Sequence, residues 1–114
     1  MPNRFSKADS RELRSLSGLV YERELSKELT HLLDRFKQWE VGELDPFALN
    51  DDIHSFHDGA SRDLYKFYTM VPPQNAVAYG LAEKLLTRDE VPQKLLAKLE
   101  LTIAFYEGEK ETDD

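Results

Sequence analysis

Residues 49 to 68 read LNDDIHSFHDGASRDLYKFY, with His54 and His57 three residues apart among Asp51, Asp52, Asp58 and Asp63. Imidazole and carboxylate side chains in this pattern offer two chemistries. The first is cation binding. Positions three apart share a helix face, so both imidazoles can reach one ion, with Asp58 as a third ligand or as the group that orients a ring. The second is general acid–base catalysis by His57 with Asp58 or Asp51, because imidazole titrates near neutral pH. The plainer alternative is a pair of histidines at the border of a core, hydrogen-bonded to Asp58 or to a backbone carbonyl.

Spacing weighs against both catalytic readings. The zinc helix pattern H-E-x-x-H is absent, and carboxylate-bridged di-metal bundles need paired Glu-x-x-His motifs. Only Asp51 precedes His54 by three, and this shorter acid occurs in that relation once. There is no nucleophile-elbow pattern and no Gly-rich phosphate loop. With no cysteine in the chain, thiolate ligands, cysteine nucleophiles and disulfides are ruled out. His31, with Glu24, Glu28 and Asp34 near it in sequence, is the remaining metal candidate, and it can approach His57 if the first two long helices pack antiparallel.

These residue types also suit recognition. His54, His57, Ser61, Tyr65 and Tyr68 fall in one sector of a helix, beside its apolar stripe. Tyrosine provides rigid contact area with a polar tip, as interface anchors do. The favoured expectation is therefore a small acidic interaction or regulatory module without a cofactor. It would bind a protein partner, or a second copy of itself, through this face. The competing expectation is a metal-dependent enzyme, a hydrolase acting on a phosphate or nucleotide, with His54, His57 and Asp58 holding a divalent metal.

Charge narrows the partner. The chain carries a formal net charge of −7, which disfavours nucleic acid, since phosphate binding draws on clustered Lys and Arg. Residues 1–21 run the other way, with Arg4, Lys7, Arg11 and Arg14 against Asp9 and Glu12. This weakly basic arm is expected to be a frayed, solvated terminus, with contact to an acidic partner or a phosphate backbone as its functional alternative. No apolar run approaches the ~20 residues that span a bilayer. The basic N-terminus has no apolar stretch after it, so a secretory signal is not expected and a cytoplasmic location is.

Helical periodicity accounts for nearly all of the chain. Tyr21, Leu25, Leu29, Leu32, Phe36 and Trp39 form one stripe of a helix ending near Glu40. Leu13, Leu16 and Val20 form a second stripe, about a third of a turn away. The phase changes at "SLSGLV", where Gly18 weakens helix and Ser17 can bend it, so a kink or a short separate N-terminal helix is expected. Gly42, Asp45 and Pro46 mark a helix end, an N-cap and a first helical position.

The next helix is expected over Pro46 to Thr69, with Leu49, Ile53, Phe56, Ala60, Leu64 and Phe67 inward. Its five large apolar side chains are worth on the order of 10 kcal/mol if buried, before entropy is subtracted. Gly59 inside it marks an expected close approach of another backbone, and Trp39 with Phe47 an expected aromatic plug at the interhelix turn. Pro72 and Pro73 end it. A third helix rich in small residues (Ala76, Ala78, Gly80, Ala82) follows, suited to close packing on more than one side. Thr87 or Asp89 and Pro92 open the last helix, striped by Val91, Leu95, Leu99, Thr102, Ile103 and Tyr106 and stopping near Gly108. The expectation is an all-α antiparallel bundle of four main helices in a single domain, residues 1–108, followed by a disordered acidic tail, 109–114.

Overall fold

The computed structural model describes residues 4–112, with side chains through Glu109. The fold is all-α. α1 spans Lys7–Glu40, α2 Pro46–Phe56, α3 Arg62–Met70, α4 Pro73–Ala82 and α5 Gln93–Thr112. A π-helical turn, His57–Ser61, joins α2 to α3, and a 3₁₀ turn, Arg88–Glu90, precedes α5. Since α2, the π turn and α3 follow one another without a break, the main helices number four, as the periodicity predicts. No described helix is long and apolar enough to cross a membrane. The chain packs as two compact units, residues 1–21 with 71–114, and residues 22–70.

The first unit holds most of the core. Leu13, Leu16 and Val20 of α1 are buried, as are Ala76, Val77, Ala78 and Ala82 of α4 and Leu95, Leu96, Leu99 and Ile103 of α5. The small residues of α4 permit close packing. A Cβ placed on Gly80 would lie 2.6 Å from a Val20 methyl, so only glycine lets α1 approach there. Just past α4, Lys84 turns the chain with a left-handed φ of 62°. Leu85 N–H donates to Gly80 O at 2.8 Å and Lys84 N–H to Leu81 O at 3.2 Å, closing the helix end. Thr87 and Glu90 then form a capping box around the 3₁₀ turn, and α5 starts after Pro92.

The basic N-terminus is tied down rather than frayed. Ser6 and Asp9 cap α1 reciprocally: Asp9 N–H donates to Ser6 Oγ at 3.0 Å, and Ser6 N–H donates to Asp9 Oδ2 at 3.1 Å. Lys98 of α5 donates to Asp9 Oδ2 at 2.9 Å and to Arg4 O at 3.0 Å, and Lys94 stands 3.3 Å from Oδ1. Asp9 is only 2% exposed, and Phe5 beside it is buried under Lys98. The Lys98 ammonium, with the Ser6 backbone N–H, holds the Asp9 carboxyl well below the usual carboxylate range.

The second unit is an antiparallel hairpin. Gly42 (φ 82°) makes the turn, and the Asp45 side chain accepts from Ala48 N–H at 2.8 Å, with Pro46 starting α2. Arg35 Nε donates to Asp52 at 2.6 Å, and Tyr68 donates to Glu24 at 2.7 Å near the other end. Leu49 is the one buried side chain between residues 22 and 70.

Five further expectations are corrected. α1 is continuous through Ser17 and Gly18, because the two stripes serve different units and a change of partner needs no bend. The second helix is not α-helical throughout. The π turn absorbs an extra residue and rotates α3 back by most of one ~100° step, which turns Tyr68 towards α1. Gly59 lies in this turn, and a Cβ on it would meet nothing within 4 Å, so it marks no close approach. Trp39 and Phe47 are 45% and 81% exposed and plug nothing. Finally, α5 runs past Gly108 to Thr112, since a helix with its inner face anchored at Ile103 and Tyr106 can carry one further turn. Residues 113 and 114 of the expected tail lie outside the described residues.

Candidate functional site

The hairpin positions its side chains through its contact line. On α1 that line runs through Glu28, Leu32 and Arg35, and on the opposite arm through Asp52, Phe56 and Ala60. These six border a shallow groove of about 330 Å³ together with His31 and Ser55. One residue further along the chain, each helix turns by ~100°. In an antiparallel pair that step carries both helices to the same side of the hairpin. From Glu28, Leu32 and Arg35 it leads to Leu29, Leu33 and Phe36. From Asp52, Phe56 and Ala60 it leads to Ile53, His57 and Ser61.

That side is open. Leu29 is 46% exposed, Leu33 51%, Phe36 38% and Ile53 38%. Two helices can cover only the line between them, and a two-helix layer has nothing to lay over an apolar stripe beside that line. From the sequence alone the α1 stripe reads as core. Periodicity identifies an apolar stripe, but it does not identify what covers it.

The histidine–tyrosine residues divide around this face. His57 and Ser61 lie along its edge, with His57 exposed and Ser61 half-buried. Tyr65, one turn on from Ser61, is 61% exposed. His54, one step beyond Ile53, is exposed towards solvent. Tyr68 is half-buried and holds Glu24, so it acts as a strut of the hairpin.

Of the candidate metal ligands, His57 and Asp58 are adjacent, with Nδ1 3.2 Å from Oδ1, and both side chains are largely exposed. His31 is 3.7 Å from Glu28 and belongs to the groove, on the side of the hairpin opposite His57, so antiparallel packing does not bring the two histidines together. Among the described residues no group of three His, Asp or Glu side chains is arranged to hold a metal ion.

The basic residues of the first unit have their own placement. Lys7, Arg11 and Arg14, at spacings of four and three, share one face of α1 with Ser10 and border a concavity next to Phe5. All three are exposed.

The residues that sequence reasoning missed are thus Leu29, Leu33, Phe36 and Ile53. Comparison of the chain with protein-family models, curated proteins and solved structures finds no match.

Proposed function

We propose that the protein is a helical interaction module that binds a protein partner through the open side of its hairpin. In this reading Leu29, Leu33, Phe36 and Ile53 are the apolar centre, and His57, Ser61 and Tyr65 are the polar and aromatic edge. His54 lies at the solvent margin, and Tyr68 supports the face from behind through Glu24. The observation that carries the reading is the exposure of four large apolar side chains on one side of a two-helix layer. An apolar centre with a polar, tyrosine-bearing rim is the usual composition of a protein-binding surface.

A photo-crosslinking residue placed at Leu33, in cells that express the protein natively, tests it. A discrete protein adduct is expected from Leu33 and not from Ala104, an exposed position on α5. Equal labelling from both positions, or none from Leu33, would count against an interaction face on the hairpin.

A further inference from the structure

We infer that the occupant of the hairpin's open side is a second copy of this chain, laid antiparallel so that the two hairpins complete a four-helix layer pair. The inference rests on the interaction face proposed above and names its partner. Three observations carry it.

The first is area. Taking ~200 Å² for a large side chain, the uncovered parts of Leu29, Leu33, Phe36 and Ile53 amount to about 350 Å² of apolar surface per copy. A standard interface uses ~800 Å² per partner, roughly 60% of it apolar. The hairpin side thus holds most of the apolar area that one partner of a stable dimer contributes.

The second is charge. Residues 34–58, the half of the hairpin nearest its turn, carry seven acids and two bases, a net −5. The other half, residues 22–33 with 59–70, carries four acids (Glu22, Glu24, Glu28, Asp63) and four bases (Arg23, Lys27, Arg62, Lys66), a net of zero. A parallel pairing sets one −5 end against the other. An antiparallel pairing sets each −5 end against a neutral end that contains four cations, which is the electrostatically preferred orientation.

The third is side-chain size. Along the open side of α1 the apolar stripe grades from leucine (Leu25, Leu29) to aromatic (Phe36) towards the turn. A two-fold axis crossing α1 near Leu32 and Leu33 places each aromatic end over the leucine end of the other copy. Large side chains then meet smaller ones, as close packing of two helical layers requires.

Sedimentation equilibrium on the purified full chain, combined with cysteine cross-linking, tests the inference. The native chain has no cysteine, so single replacements report without background. The expected mass is twice 13.2 kDa, falling to that of one chain in Leu33→Glu with helical circular dichroism unchanged. Leu33→Cys, next to the two-fold axis, is expected to form a disulfide-linked dimer under mild oxidation, and Glu43→Cys at the turn is expected not to. Should Leu33→Glu fail to fold, the two cysteine variants still decide the matter.

Cross-linking of Glu43→Cys, with or without Leu33→Cys, would overturn the antiparallel arrangement. A single-chain mass at all concentrations would overturn the second copy as occupant. If photo-crosslinking at Leu33 then yields an adduct with a different protein, the interaction face stands and only its occupant is wrong. With no adduct either, the face itself fails.

Discussion

Asp9 shows how one side chain can join distant parts of a chain. Its carboxylate caps the first turn of α1 and also accepts from Lys98, 89 residues away, in a site that is 2% exposed. Its folded-state pKa lies below the ordinary value of 3.8. The stability this supplies is therefore fully present above that value and is lost as pH falls below it. Asp9→Asn is expected to lower Tm at neutral pH, and the gap to the native protein is expected to narrow on titration from about pH 4 to about pH 2. A gap that stays constant over that titration would show that the ionised form is not what Lys98 holds. Gly80 makes an opposite demand, for absence of a side chain. A Cβ there would meet Val20 at 2.6 Å, so Gly80→Ala is expected to cost about 1–3 kcal/mol in denaturant unfolding despite alanine's better helix propensity.

The helix ends follow local rules that can be read directly, with one exception. Asp45 and Pro46 start α2, and Thr87 with Glu90 caps the 3₁₀ turn, as their residue types indicate. The end of α4 is less legible, because Lys84 occupies a left-handed position that glycine or asparagine more often fills. A side chain in that conformation costs roughly 1–2 kcal/mol. Lys84→Gly is expected to raise stability by about 1 kcal/mol, less some unfolded-state entropy, and denaturant midpoints at constant m check it. The π turn at His57–Ser61 is the element with no clear sequence signature. Its register shift becomes visible only through Tyr68, which reaches Glu24 in the observed phase and would point away in an uninterrupted helix.

The two units differ in how much they bury. The first contains Val20, Ala76, Val77, Ala78, Leu95 and Leu99, all at 0% exposure, whereas residues 22–70 bury Leu49 alone. Local opening free energy follows buried apolar contact. Amide hydrogen exchange on the isolated chain is expected to show the slowest amides in α5 between Leu95 and Ile103, and faster, sub-global exchange across α2, the π turn and α3. Association through the hairpin's open side would slow exchange there in a concentration-dependent way. Uniform protection of both units at low concentration would contradict this division.

Helix content, the turn at Gly42–Pro46, the break at Pro72–Pro73 and the core positions of α5 were all legible from residue order, because capping, proline geometry and the 3.6-residue period act over a few neighbouring residues. Which apolar stripe is covered was not legible. Leu13, Leu16 and Val20 look no more inward-facing in sequence than Leu29, Leu33 and Phe36, yet the first three are buried and the last three are open. The histidine pair was conspicuous as a motif, but its contribution depends on which side of the hairpin each ring occupies, and that is set by the contact line between α1 and its neighbour. Burial depends on chain segments tens of residues apart coming together, so local pattern proposes the surfaces of a helix and long-range packing selects which of them remain exposed for a partner.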